Sequence, residues 1–172
     1  MSDLIPAWRD GRLQPIEKLQ VHREGLRHKA VSVFVNCGRE TLIQRRAAGK
    51  YHTPGLWANA CCTHPGWDEA PEDCARRRLC EELGIAPGAP LIHRGQVTYR
   101  ADVGRGLVEH EVVEIYTTEL ARPAEPRPDP EEADATRWID WTALDREIAA
   151  QPGRFTPWLR IYLSRHRDLV MS

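Results

Sequence analysis

Residues 69–85 read EAPEDCARRRLCEELGI, and this stretch decides the fold. Pro71 suits a first helical turn, where a missing N–H costs nothing. Glu72 and Asp73 favour the positive end of a helix dipole, and Gly84 supplies a stop. The pattern predicts a helix over 71–83. Glu69 is followed, after seven intervening residues, by Arg77, then by Arg78, Leu79, Cys80, Glu81, Glu82, Leu83, Gly84 and Ile85. Arg78 and Glu82, four residues apart, share one helix face. A charged helix with only a packing role would rarely produce this spacing.

Working outward, residues 30–36 (AVSVFVN) are β-branched and aromatic and predict a strand. Residues 41–46 predict a second, with CGRE between them as a hairpin turn. Residues 56–62 form a short extended segment after Pro54-Gly55. Residues 96–100 and 107–118 predict strands joined by a Gly-containing loop. Residues 122–134, with four prolines and many charges, read as a loop. A short strand at 137–140, a helix at 142–150, and a last helix capped by Thr156 and started by Pro157, running to about His166, complete the chain. Strands and helices mix without strict alternation, so the class is α+β or α/β with a mixed sheet.

The 172 residues argue for one domain with a core that stands without staples. A formal net charge of −1 gives no global pull toward nucleic acid or an anionic membrane. No apolar run approaches the ~20 residues of a membrane helix, and MSDLIPAWRDGR lacks the pattern of a signal peptide. The expected address is the cytoplasm. No apolar interface helix stands out, so a monomer is expected.

Several groups have the composition of a chemical site. Glu109 and Glu111 alternate with Val112 and His110, so in a strand they share a face with Leu107, Val113 and Ile115. Either that face is open to water or a metal or basic side chains compensate them, because buried unpaired carboxylates cost several kcal/mol each. His22 and His28 flank REGLR, and His64 follows Cys61-Cys62-Thr63. If these histidines converged on the glutamates, the set would suit Mn, Fe, Zn or Mg. His52, His93, His110 and His166 have no such context and read as ordinary polar residues. The cysteines at 37, 61, 62, 74 and 80 are odd in number. No C-x2-C pair supports structural zinc, and a disulfide framework is not expected in a reducing compartment.

The helix resembles the Nudix signature G-x5-E-x7-R-E-U-x-E-E-x-G-U, where U is aliphatic. Glu69, Arg77, Leu79, Glu81, Glu82, Gly84 and Ile85 match; Thr63 stands at the leading Gly and Arg78 at the first Glu of R-E. The second departure removes a metal ligand and adds a cation, which suits holding a diphosphate and leaving it intact. From about Lys18 to Trp158 the chain is similar to the type I isopentenyl diphosphate isomerases. The marks are EKLQVH, GLRHKAVSVFVN, QRRAAGKYHTPGLWAN, CCTHP, TYRAD, VEHEV and FTPW.

That resemblance implies a Nudix-type α/β/α sandwich over the whole of 1–172, with a core of about 18–166. It implies interconversion of isopentenyl and dimethylallyl diphosphate by protonation and deprotonation at carbon, in isoprenoid biosynthesis. Cys62, Glu111 and Tyr99 match the catalytic positions. His22, His28, His64, Glu109 and Glu111 match the ligands of one divalent ion (Mn²⁺, Mg²⁺ or Zn²⁺), and Glu82 matches the ligand of a Mg²⁺ that bridges the diphosphate. The segment between His22 and His28 is short for the family. Lys18, Arg46, Lys50 and Arg78 match the diphosphate clamp, and Trp158 the aromatic facing a carbocation. Cys61 is expected to point away into packing, and Cys37, Cys74 and Cys80 to be structural. The competing expectation is a Nudix hydrolase of nucleotide or prenyl diphosphates, which would want Glu at position 78.

Overall fold

The computed structural model describes residues 3–85 and 90–171 of the 172. At its centre lies β3 (His28–Cys37), every residue of which except Lys29 and Cys37 is buried. It turns through Gly38 and Arg39 into antiparallel β4 (Glu40–Arg46), as the hairpin reading expects. Its other edge pairs in parallel with β8 (Val108–Glu119), in the register His28↔Glu111 to Asn36↔Glu119. β8 pairs antiparallel with β7 (Ile92–Asp102). β4 carries β5 (Trp57–Asn59) and β9 (Ala133–Asp140) on its two sides. β6 (Cys61–Thr63) pairs antiparallel with β3. The extended segment expected at 56–62 is therefore two short strands, broken at Ala60. β9 begins four residues earlier than its expected start, because Ala133 to Ala135 complete the ladder on β4.

Helices cover both faces of this mixed sheet. Under α2 (Pro71–Leu83), Leu79 and Leu83 pack with Val31, Val33, Val35, Leu42 and Cys61. On the opposite face, Phe34, Ile43, Val113 and Ile115 pack against α3 (Trp141–Ala150) and α4 (Pro157–Arg165). The alternation of β3 between Val31/Val33/Val35 and Ala30/Phe34 is the period of a strand buried on both sides. Cys74 lies in the α2 core, but Cys80 is exposed on the outer face of the helix and packs no core, contrary to the structural role expected of it. α4 stops at Arg165, and a four-residue helix, α5 (Arg167–Val170), follows. Thr156 precedes α4, yet its side chain makes no capping hydrogen bond. No helix among the described residues is long and apolar enough to cross a membrane.

The N-terminal residues hold elements that the sequence reading does not place. β1 (Leu4–Arg9) and β2 (Arg12–Glu17) form a hairpin, with β1 docked on β3 at Ala7↔His28. Asp10 and Gly11 both have positive φ, 52° and 74°, the conformation a tight two-residue hairpin turn demands. α1 (Lys18–Glu24) follows at once, its first turn capped by the Glu17 carboxylate on the N–H groups of Leu19 and Gln20.

Gly84 ends α2 in the left-handed region at φ 63°. Beyond it the last carbonyls of the helix are taken by the loop ahead of β9: Arg127 N–H donates to Leu83 and Asp129 N–H to Glu82, at 2.7 and 2.9 Å. A Cβ at Gly84 would meet Arg127 Cβ at 3.1 Å and its carbonyl oxygen at 3.2 Å. Gly84→Ala should therefore cost roughly 1–3 kcal/mol from the left-handed backbone, and more if the loop must shift. Urea denaturation checks this: the midpoint should fall with an unchanged slope, and a wild-type midpoint would contradict the account.

Candidate active site

Strand register assembles the site. His28 on β3 lies across from Glu111 on β8, and Glu111 lies across from Tyr99 on β7. Three residues of distant sequence thus share one rung. Four residues further along β3, on the same face, Ser32 pairs with Cys62 of β6, while Val33 pairs with Cys61 on the other face. The adjacent cysteines are divided accordingly. Cys61 is fully buried beneath α2, and Cys62 borders the cleft on the opposite face. Two turns deliver the remaining imidazoles. Gly25 closes α1 in the left-handed region, so the short segment after His22 leads directly into β3 and brings the His22 ring to 4.8 Å from that of His28. His64 follows β6 and reaches Glu111 Oε1 at 3.0 Å.

Glu109 and Glu111 are both 2% exposed, so their face is not open to water. Glu109 Oε2 lies 3.2 Å from His22 Nε2 and 3.3 Å from His28 Nε2, and Glu111 Oε1 lies 3.7 Å from His28 Nε2. One donor atom each from His22, His28, His64 and Glu109 fall within 4.8 Å of one another. The far sides of two rings explain what this centre needs. His22 Nδ1 sits 2.6 Å from the Lys18 carbonyl, and His28 Nδ1 sits 2.7 Å from that of Leu26. A carbonyl only accepts, so each Nδ1 carries the proton and each Nε2 turns a lone pair toward a carboxylate. Lone pair and carboxylate repel unless a cation stands between them. Without a metal that cation is a proton: burial disfavours charge on His28, but bonds to Glu109 and Glu111 outweigh it and push the pKa up to about 10. Fixed Nδ1–H bonds with inward Nε2 lone pairs are the arrangement of metal-binding histidines. The residues fit a divalent ion in His and carboxylate coordination.

The carboxylates are not equivalent. Burial would raise Glu109, yet its bonds from His22, His28 and His52 hold it well below the usual carboxylate range. Glu111 is pushed up to about 7 by burial and by the charge of Glu109. Tyr99 donates its hydroxyl to Glu111 Oε2 at 2.5 Å. Cys62 is pushed well above its ordinary value by burial and by Glu111, and Ser32 donates its hydroxyl to Cys62 Sγ at 3.3 Å.

Beyond this centre the same cleft is lined by Lys18, Arg46, Lys50 and Arg78. Burial, then Lys50 and Arg78, depress the Lys18 pKa, the signature of crowded like charges. Arg46 is buried, its Nε has no hydrogen-bond partner among the described residues, and its guanidinium lies 5.3 Å from the Trp158 ring centre. Arg78 bonds Glu82 and Glu132, each at 2.9 Å, and Lys50 bonds Glu132 at 2.5 Å. Gln44 holds the second Glu82 oxygen at 2.9 Å. Glu69 faces away: it pairs in two-pronged fashion with Arg77, at 2.7 and 2.8 Å, and accepts from Gly66 N–H. It braces the loop against α2.

All thirteen residues singled out by sequence meet here, either lining the cleft or bonded to a group that does. Five of the participants described above were not foreseen. His52, expected to be an ordinary polar residue, is 3% exposed and lies 2.7 Å from Glu109 Oε1. Tyr51 OH lies 3.3 Å from His22 Nε2. Ser32, Gln44 and Glu132 are the other three. His93 is a surface residue paired with Glu114, as expected of an ordinary histidine.

A NUDIX domain model matches residues 26–159. Among curated proteins, the chain is 61% identical over 172 residues to an isopentenyl-diphosphate Delta-isomerase of Cereibacter sphaeroides, covering 100% of this chain and 97% of that one. It is 58% identical over 169 residues to the protein of the same name from Rhodobacter capsulatus, covering 98% and 96%. Among solved structures, a Deinococcus radiodurans protein superposes with a TM-score of 0.72 over 92% of this chain and 95% of that one, at 16% identity, a likeness of fold. The chain is a NUDIX-domain protein and belongs to the isopentenyl-diphosphate Delta-isomerase family.

Proposed function

We propose that the protein interconverts isopentenyl diphosphate and dimethylallyl diphosphate by moving a proton on and off carbon. The observation that carries this reading is the shared cleft: the Cys62 thiol and the Glu111 carboxylate, which Tyr99 bonds from behind, border the same space as four cationic side chains. An unactivated alkene is a poor base, so it needs an acid held out of water and a second group to take a proton from the neighbouring carbon. Glu111, backed by the Tyr99 hydroxyl, and Cys62 are those groups. One adds a proton to the terminal alkene carbon, leaving a tertiary carbocation. The other removes a proton from the adjacent carbon, and the electron pair of that C–H bond becomes the new double bond. In the reverse direction the two exchange roles, which requires each to be able to hold a proton near neutral pH while the other is free to accept one. Burial raises both groups in that sense.

Trp158 lies 2% exposed at the cleft, and its π face can stabilise the cation by ~2 kcal/mol or more where water is excluded. Lys18, Arg46, Lys50 and Arg78 grip the diphosphate by charge-assisted hydrogen bonds, leaving the reacting carbons at the other end of the cleft. We assign His22, His28, His64, Glu109 and Glu111 as the residues that would hold one divalent ion, Mn²⁺, Mg²⁺ or Zn²⁺, and Glu82 as the residue that would hold a Mg²⁺ serving the diphosphate. When bound, these ions supply positive charge that offsets the buried carboxylates and the phosphate oxygens. Arg78 places a fixed guanidinium on Glu82, where a hydrolase would want another carboxylate for a metal cluster at the scissile bond. The reading takes 1–172 as one enzyme domain acting on a small molecule as a monomer in the cytoplasm.

Conversion of isopentenyl diphosphate by purified variants tests the assignment. Cys62→Ala should lose at least 10²–10⁴-fold in kcat while keeping the wild-type melting temperature, as removal of a proton-transfer group does. Cys61→Ala should keep near-normal turnover. An active Cys62→Ala protein would reject the role of that thiol. Trp158→Phe should retain partial activity and Trp158→Ala should lose about 30-fold or more, the rate equivalent of ~2 kcal/mol. Equal rates for the two would remove the aromatic face from the mechanism.

A further inference from the structure

Four imidazoles surround Glu109 and Glu111; the far nitrogen of His64 has no hydrogen-bond partner among the described residues, and the hydrogen bonds on the far nitrogens of the other three sort them into two kinds. His22 and His28 face main-chain carbonyls through Nδ1, so their protons sit there and their Nε2 atoms are free to ligate. His52 differs. Its Nδ1 faces the Thr53 hydroxyl at 3.0 Å, a group that can donate. With the hydroxyl proton on that bond, the ring proton sits on Nε2 and points at Glu109 Oε1, 2.7 Å away. The two Glu109 oxygens are therefore divided. Oε1 belongs to His52, and Oε2 faces His22 and His28 at 3.2 and 3.3 Å and His64 at 3.9 Å.

We propose that His52 is a positioning residue for the metal centre: by donating Nε2–H to Glu109 Oε1 it fixes the carboxylate so that Oε2 alone is presented to the ion. This rests on the metal assignment made under the proposed function. The ring is itself held firmly. Thr53 has a left-handed backbone at φ 46°, unusual for a β-branched residue, and the Arg46 guanidinium donates to the His52 carbonyl at 3.2 Å. The imidazole packs edge-on against Trp158 with ring centres 5.8 Å apart. A single side chain thus ties the orientation of a metal-binding carboxylate to the aromatic wall of the substrate cleft. Hydrogen bonds to ligating carboxylates are typically worth 10–100-fold in metal affinity or activity.

The test is Mn²⁺ titration of the full-length protein followed by electron paramagnetic resonance, with no substrate and no more than one equivalent of metal. Wild type should bind Mn²⁺ with three imidazole nitrogens in its pulsed spectrum. His52→Ala should bind about 10–100-fold more weakly, with the same three nitrogens. His52→Gln, which keeps an N–H donor, should stay within a few fold of wild type and guards against a folding defect in the alanine variant. A fourth coordinated imidazole nitrogen in wild type would make His52 a ligand and overturn the proposal. So would equal Mn²⁺ affinity in wild type and His52→Ala. Absence of Mn²⁺ binding by wild type would overturn the metal assignment together with this inference, which separates the two failures.

Discussion

Everything at the centre of this protein depends on two glutamates buried side by side on one strand. Glu109 and Glu111 are each 2% exposed, and two such charges without compensation would cost several kcal/mol apiece. The compensation comes from every element around them: α1 supplies His22, β3 supplies His28, the turn after β6 supplies His64, the loop before β5 supplies His52, and β7 supplies Tyr99. The rings do not fully neutralise the carboxylates themselves. Two of them are locked by main-chain carbonyls with lone pairs facing inward, which leaves the centre short of one cation. A site built this way is stable in the folded chain only when a proton or a metal ion fills it.

The same economy of charge runs through the outer half of the cleft. Lys50 and Arg78 converge on Glu132, and this arrangement holds the Glu132 carboxyl down to about 2 against the effect of burial. Arg78 also reaches Glu82, so the helix that in hydrolases gathers carboxylates here carries a mixed cation–carboxylate face. Its position is set by Gly84 and by the N–H groups of Arg127 and Asp129 that bond its last carbonyls, in the loop that also delivers Glu132. The proposed function assigns retention of the diphosphate to Arg78 on that helix face together with Lys18, Arg46 and Lys50, and the chemistry at carbon to the opposite end of the cleft.

The parts of this structure that were legible in the sequence are those with local punctuation. Pro71 and Gly84 bound α2 to the residue, and the period of AVSVFVN marked the central strand. The residues that meet at the cleft were legible because their motifs resemble a known family and because Glu109 and Glu111 share one strand face. The N-terminal hairpin was not, because Pro6 and Pro15, which face each other across it, interrupt the strand pattern that Asp10-Gly11 would otherwise have signalled. α1 spans seven residues, too short for a helical period to declare itself. His52 was read as a plain surface histidine because it stands in a loop with no periodic neighbours. Only the fold brings it to Glu109, and no spacing rule connects them.

The central claim is proton transfer at carbon with the diphosphate untouched. Nuclear magnetic resonance of the purified protein with isopentenyl diphosphate, Mg²⁺ and Mn²⁺ in deuterated water tests it most directly. The account predicts dimethylallyl diphosphate that carries deuterium, with both phosphates in place. Release of phosphate without deuterium uptake would contradict it, and would return Arg78 and Cys62 to a hydrolase with an unexplained active site.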